Sequence, residues 1–261
     1  MNKYHLLLTK IDHAKALDFG TIFNQSIDLF KKTWVQGLVA LLLSVVLIIP
    51  FYIIAYIPLI ALGVLSPEFF NGNGDFTEIE GLGVFALIVS GILFLFMIIG
   101  VLVITIGLKA AYFRIVKSKD LELNQSDDYF FFLKKRYLKK TITLSFILMG
   151  ISFLALLLCV LPIFYAMIPM AYMIVIYAFN PELSTSDIVK IGFKLGNKKW
   201  LITFVLVIVA WFISSIVGFL MCFIGIYVTQ QFINLPFYQV YKECIGFSET
   251  HIIDEIGIVQ E

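Results

Sequence analysis

Charged residues are scarce in this sequence. Asp, Glu, Lys and Arg make up 14% of its 261 residues, whereas they make up about 25% of an average soluble domain. Hydrophobic residues make up 61%, and the mean hydropathy is +0.97. A chain with so few charges cannot cover a globular surface with polar groups. The composition therefore excludes an ordinary soluble protein and indicates one whose main solvent is a lipid bilayer.

Cysteine and histidine are also rare, with three of each. The histidines lie near the two termini without metal-ligand spacing, and the sequence has no CxxC, no HExxH and no serine in a nucleophile elbow. We therefore expect no catalytic residue, no metal and no cofactor, and we predict that the chain is not an enzyme. The cysteines are predicted to be small apolar packing residues without a disulfide; they are Cys159, Cys222 and Cys244.

Four long stretches contain no charged residue and no histidine. A membrane-spanning helix needs roughly 20 apolar residues, so we predict one span in residues 33–65 and one in residues 81–108. Residues 141–180 and 200–241 are each about twice that length, and we predict a helical hairpin in both. Pro162 and the pair Gly218 and Gly225 mark the two turns. Pro50 and Pro58 predict a kink or a break in the first span.

Lysine and arginine set the expected orientation. Residues 1–32 hold five of them, residues 67–80 none, residues 109–140 nine, residues 182–199 four and the tail 242–261 one, which accounts for all 19. With six spans, every one of these cations falls on the same side of the membrane, which by the positive-inside rule is the cytoplasm. The predicted fold is thus an all-α, polytopic membrane domain over residues 1–261 with both termini cytoplasmic. Residues 1–15 lack a cleavable signal, so the first span is expected to serve as the targeting signal.

A lysine pair precedes three of the apolar stretches, and an amphipathic pattern precedes each pair. We predict three short interfacial helices, over residues 19–32, within the basic segment 109–140 after Ser126 and Asp127, and over residues 185–199. The last begins with a Ser184-x-x-Asp187 capping pattern. We expect their cations to contact anionic head groups or a partner protein; they are Lys31, Lys32, Lys134, Lys135, Arg136, Lys139, Lys140, Lys198 and Lys199. Nucleic acid is not expected, because the segment 109–140 lies against the bilayer and four acidic residues dilute its charge.

The most polar part of the predicted spans is the sequence YVTQQFINLP near the end of the last one. Thr229, Gln230 and Asn234 form the candidate site there, and Gln230 and Asn234, four residues apart, are expected to share a helix face. One interpretation is hydrogen bonding between helices. The other is a polar groove that holds a lipid head group or a partner's helix.

Three segments resemble a family of six-span bacterial inner-membrane proteins without an assigned activity, whose domain is also fused to some glycerophosphodiester phosphodiesterases. The segments are FGTIFNQSIDLFKKTW at residues 19–34, GLKAAYFRIVKSKDLELNQSDDYFFFLKK at residues 107–135 and QQFINLPFYQVYKE at residues 230–243. The resemblance implies a location in the bacterial inner membrane. The soluble phosphodiesterase domain is absent from this sequence, so its catalytic chemistry is not implied.

Two functions remain open at this point. The first is an accessory or scaffold subunit that associates with another membrane protein, which the three interfacial helices and the apolar residues of the acidic tail favour. The alternative is a transporter or permease that handles lipid or a small molecule, which the proline pairs and the polar residues Thr229, Gln230 and Asn234 favour.

Overall fold

The computed structural model describes residues 3–61, 82–123, 125–158, 161–221 and 224–247, and every regular element in these ranges is helical. The helices are α1 (Lys3–His13), α2 (Phe19–Ala61), α3 (Leu82–Asp120), α4 (Lys135–Leu157), α5 (Leu161–Phe179), α6 (Thr185–Lys198), α7 (Trp200–Leu220), α8 (Ile224–Thr229) and α9 (Leu235–Cys244). Two short 3-10 helices, Phe131–Leu133 and Gln230–Asn234, precede α4 and α9. The prediction of an all-α chain is confirmed over the described residues.

Five helices are long and apolar enough to cross a membrane: Phe19–Ile57, Ile88–Asp120, Lys135–Leu157, Leu161–Phe179 and Trp200–Leu220. The chain is thus suited to a multi-pass arrangement in a membrane. α4 and α5 occupy the first predicted hairpin. Pro162 is the second residue of α5, where a missing N–H group has no cost because the first turn of a helix leaves its N–H groups free.

The last predicted span is broken into α8, the 3-10 helix Gln230–Asn234 and α9. Pro236 supplies a reason for the break, because it has no N–H group to donate to the carbonyl of Phe232 and its ring would clash with that carbonyl in a continuous α-helix. The Leu235 N–H donates to the Phe232 carbonyl instead, which is the shorter 3-10 bond.

The chain divides into two compact units, one of residues 1–41 and 106–261 and the other of residues 42–105. In the smaller unit α2 and α3 meet at Gly100, where a Cβ atom would clash with the ring of Phe51. The Phe51 and Phe96 rings lie 5.4 Å apart. All contacts described below lie within the larger unit.

Two of the predicted interfacial helices are not separate elements. Residues 19–32 are the first third of α2, which continues without interruption through Pro50 and Pro58 to Ala61. In the basic segment, residues 125–130 are not helical and only the turn Phe131–Leu133 precedes α4. The carboxylates of Asp127 and Asp128 pair with Lys119 (3.3 Å) and Lys134 (2.5 Å), so they do not cap a helix there.

The third predicted interfacial helix is α6, and its apolar side packs against protein. The Ser184 hydroxyl accepts a hydrogen bond from the Asp187 N–H at 3.1 Å, which is the predicted cap. The apolar residues on its buried face are fully buried: Ile188, Ile191 and Leu195. Gly196 explains the close packing on α5, because a Cβ atom there would lie 2.7 Å from the Cα of Pro169. The expectation that this face lies in lipid is therefore wrong.

α1 packs on α6 and completes this layer. Leu7 and Ile11 are its buried apolar residues. At the C-terminal end of α1, the Lys198 ammonium group donates to the carbonyls of Ile11 and Asp12, at 2.7 and 2.6 Å. These carbonyls lack partners within α1 because they belong to its last turn.

The predicted loop 67–80, Cys159, Cys222 and the tail from residue 248 onward lie outside the described residues.

Candidate functional site

Four charged segments contact one another in the larger unit. Lys32 pairs with Glu122 at 3.4 Å, Lys242 lies 2.5 Å from Asp120, and the lysines at the ends of α4 and α6 reach the loops of the neighbouring segments. The contacts join residues 3–32, 109–140, 182–199 and 242–247, and we call the surface that they form the basic face. These segments therefore lie close to one another in the larger unit.

Three of the nine cations that were predicted to contact head groups are held inside the chain. Lys140 donates to the carbonyls of Pro181 and Leu183, at 2.6 and 2.7 Å, and Lys198 binds the end of α1. Lys199 is only 7% exposed and donates to the Lys15 carbonyl. Backbone carbonyls satisfy these ammonium groups, so their shared position at the start of an apolar helix serves to fix α1 and the α5–α6 loop.

The other six cations are exposed, and they differ in their partners. Lys31, Lys32 and Lys134 pair with the exposed carboxylates of Asp28, Glu122 and Asp128. Lys135, Arg136 and Lys139 lie in the first turns of α4. Among the described residues, Lys135 and Lys139 have no hydrogen-bond or ion-pair partner. They are four residues apart on one helix face, so this end of α4 presents the accessible positive charge.

Asp120 is the centre of a polar contact that the sequence analysis missed. Its Oδ2 atom accepts hydrogen bonds from the Tyr238 hydroxyl at 2.7 Å and from the Lys242 ammonium group at 2.5 Å. The carboxylate is 15% exposed. It joins the end of α3 to α9. The available signal was an isolated acidic residue after a basic run, together with a tyrosine and a lysine four residues apart on one helix face.

Thr229 lies between two helices. Its hydroxyl donates to the Ser214 carbonyl at 2.9 Å, and the Ser214 hydroxyl donates to the Thr229 carbonyl at 3.0 Å. The Thr229 hydroxyl also lies 3.0 Å from the carbonyl of Gly225. Both side chains are buried. These bonds connect α7 to the end of α8, in keeping with hydrogen bonding between helices.

Gln230 and Asn234 do not form the expected common face. They belong to a 3-10 helix, in which residues three apart face the same way. Asn234 accordingly donates to Gln231 Oε1 at 2.9 Å, and Gln230 is exposed. α2 lies against this helix, since a Cβ atom on Gly37 would be 2.8 Å from the Cβ of Gln231.

Burial acts against nucleophilic activation at two described groups outside the apolar helices, the Tyr129 phenol and the Cys244 thiol. Burial and the nearby carboxylate of Asp127 raise the pKa of Tyr129 to about 12, so its phenol is neutral at physiological pH. Burial raises the pKa of the Cys244 thiol, so it stays protonated and serves as a packing residue. Over the described part of the chain, no three His, Cys, Asp or Glu side chains are arranged to hold a metal ion.

The contacts of the basic face and of Thr229 hold helices together, and the exposed cations of α4 are available to a charged partner. Comparison of the chain with protein-family models, with curated proteins and with solved structures found no match.

Proposed function

We propose that the chain is a non-enzymatic, six-pass protein of the bacterial inner membrane that acts as an accessory or scaffold subunit for another membrane protein. Both termini face the cytoplasm in this proposal, which follows from the accumulation of lysine and arginine on the basic face. In the larger unit the chain returns to this face through α8 and α9, and Tyr238 and Lys242 of α9 contact Asp120. That return supports the even number of passes.

The observation that carries the proposal is which groups the polar residues near the last described helices contact. Thr229 bonds to Ser214, Asn234 bonds to Gln231, and Gln231 lies against Gly37. A transporter would use such residues to line a path for its substrate. Here the Thr229 bond and the Gln231 contact join helices, whereas the Asn234 bond lies within one 3-10 helix. Joining helices is the role expected in a rigid subunit. We therefore place the scaffold ahead of the alternative, a transporter or permease for lipid or a small molecule.

Lys135, Arg136 and Lys139 are the cations that we assign to anionic head groups. A lysine or arginine close to an anionic membrane surface contributes about 1 kcal/mol to attraction. Because Lys135 and Lys139 are not engaged by other described residues, their charge is free to act on lipid. The three cations begin α4, so contact with head groups would fix the depth of this helix in the bilayer.

The test is to extract the tagged chain from native membranes with an amphipathic polymer and to quantify every co-purifying protein by mass spectrometry. We expect one membrane protein in a fixed ratio to the chain. Recovery of the chain alone, with lipid but without a stoichiometric protein, would contradict the subunit proposal and favour the handling of lipid.

A photo-crosslinking side chain identifies the surface that the partner contacts. Suitable positions are the exposed apolar residues Phe146 and Phe153 of α4, and Trp211 and Phe212 of α7. Each is at least 45% exposed, so replacement disturbs no packed contact. We expect crosslinks to one protein from one of the two helices. Crosslinks to lipid alone from all four positions would count against a partner on these helices.

A further inference from the structure

A small pocket opens on the basic face where α1, α3, α5 and α9 end. Its lining includes Lys3 and Lys10 of α1, Lys117 of α3, Asn180 after α5, and Tyr241 and Phe247 at the end of the described chain. Its volume is about 50 Å³. One water molecule needs roughly 10–15 Å³, so the pocket has room for a few waters or for one tetrahedral oxyanion.

The lining is positive. Among the described residues it contains three lysines and no aspartate or glutamate, and an ion pair with Glu182, outside the lining, balances the charge of Lys3. A second pocket adjoins it, shares Lys117 and Phe179 with it, and adds Arg114. Lys117 is 8% exposed, and its ammonium group lies 5.0 Å above the ring of Phe247. Cations gathered in a cleft with low-dielectric walls focus a positive potential into it.

Two donors in this pocket have bonding capacity left. Lys10 donates one hydrogen bond, to the Ile245 carbonyl at 2.9 Å, and an ammonium group has three hydrogens to give. The Tyr241 hydroxyl accepts from the Asn180 amide at 2.9 Å, and its own hydrogen has no acceptor among the residues that the structure describes. Tyr241 is 2% exposed. A buried hydroxyl hydrogen without an acceptor is costly, so an acceptor in the pocket is favoured.

We propose that this pocket binds a phosphate-type anion, either the phosphate monoester head group of a lipid or a soluble phosphate. The positive charges of Lys10 and Lys117 and the spare hydrogens of Lys10 and Tyr241 suit a dianion with three or four oxygens better than a single carboxylate, which needs fewer donors. The residues that carry the site are different from the exposed cations at the start of α4. The proposal does not depend on whether the chain is a scaffold.

The first experiment measures the thermal unfolding of the full-length protein in a neutral detergent as inorganic phosphate is added, against sodium chloride at equal ionic strength. A ligand that binds only the folded state raises the midpoint, and the rise grows with the logarithm of its concentration above the dissociation constant. Lys10→Gln removes one of the charges, and Tyr241→Phe removes the spare hydroxyl. The matched control is Lys190→Gln, which removes the same charge from an exposed position of α6 outside the pocket and outside the cations assigned to head groups.

We expect phosphate to stabilise the wild type and the Lys190→Gln variant equally. We expect roughly tenfold weaker binding in Lys10→Gln, as for the loss of one charge-assisted hydrogen bond. If Tyr241→Phe folds poorly, it is judged by its phosphate affinity alone and not by its midpoint of thermal unfolding. Equal binding in all variants, or no stabilisation beyond that of chloride, would overturn the proposal.

The second experiment distinguishes the two sources of the anion. Nanodiscs that contain phosphatidic acid, whose head group is a phosphate monoester, are compared with nanodiscs of phosphatidylcholine by native mass spectrometry of retained lipid. Retention of phosphatidic acid that falls in Lys10→Gln and not in Lys190→Gln supports a lipid head group. If Lys10→Gln weakens the binding of inorganic phosphate and leaves the retention of phosphatidic acid unchanged, the anion is a soluble phosphate. If neither lipid retention nor phosphate binding changes in Lys10→Gln, the site is rejected.

Discussion

Ser214 and Thr229 exchange two hydrogen bonds, each hydroxyl donating to the backbone carbonyl of the other residue. The two residues are buried, fifteen positions apart, on either side of the turn that follows α7. α7 and α8 approach each other closely at the same turn, because a Cβ atom on Gly218 would lie 2.8 Å from the Ile226 Cα. The pair therefore fixes the register between α7 and α8.

Ser214→Ala and Thr229→Val should each destabilise the protein by about 0.6 kcal/mol, with an upper bound near 1.7 kcal/mol, the range for hydrogen bonds between membrane helices. The measurement is reversible unfolding in mixed micelles with increasing dodecyl sulfate. The double variant should lose less than the sum, because either change alone removes part of the same paired contact. Ser215→Ala is the control, since its hydroxyl donates to Trp211 within α7.

Asp120→Asn tests the contact between α3 and α9. The change removes the charge that accepts from Tyr238 and Lys242 and leaves two donors with a weaker acceptor, so we expect a loss of about 1–3 kcal/mol in the free energy of unfolding. Unfolding in mixed micelles measures it.

Asp28→Asn is the matched control for this change. Asp28 pairs with Lys31 where both side chains are about 70% exposed, at 72% and 69%, and such pairs contribute roughly 0–1 kcal/mol. Equal losses in the two variants would show that the Asp120 contact adds nothing beyond an exposed ion pair.

The contact of α6 with α5 depends on the absence of a side chain at Gly196. Gly196→Ala places a methyl group 2.7 Å from the Pro169 Cα and 3.0 Å from its nitrogen, and such overpacking costs about 1–3 kcal/mol. The control is Gly150→Ala in α4, where nothing lies within 4 Å of the added atom. That change should be neutral or stabilising by up to about 1 kcal/mol, because alanine favours a helix. Similar midpoints for the two variants would refute the close packing.

The apolar helices could be predicted from the sequence because charge-free stretches of about 20 residues have few other structures available. The Ser184 cap was likewise visible in four residues of sequence. The surroundings of each helix could not be predicted from the sequence. The buried face of α6 has the same pattern whether it meets lipid or protein, and only Gly192 and Gly196, four residues apart, signal a neighbouring helix.

The spacing of apolar and polar residues could not predict two local features. The sequence between residues 19 and 61 contains a lysine pair that suggests a boundary, yet a charge does not end a helix, and α2 continues through it. Residues 230–234 were expected to follow α-helical spacing, and the 3-10 turn before Pro236 changes which side chains meet.

The pocket between α1 and Tyr241 joins residues more than 200 positions apart, and no pattern within a segment predicts such a contact.

The ion pair between Asp12 and Lys194 makes the docking of α1 sensitive to acid. The hydrogen bond from Lys194, at 2.7 Å, and the positive charges of Lys194, Lys198 and His13 hold the pKa of Asp12 below its ordinary value of 3.8. A carboxylate with a depressed pKa stabilises the docked state above its unfolded pKa, and this contribution is lost as the pH falls through the lower, folded value. α1 should thus stay docked at pH 5–8 and loosen below about pH 3.8.

Spin labels at positions 9 and 190, which are exposed on α1 and α6, report this change as a broader distance distribution at low pH. Asp12→Asn should show part of that broadening at pH 7 already. Glu182 is another carboxylate that pairs with α1, through Lys3, so Glu182→Gln is measured beside it. Leu7, Ile11 and the two carbonyl bonds of Lys198 still hold α1 in either variant, so complete release by Asp12→Asn alone would mean that the ion pair, and not burial, positions this helix.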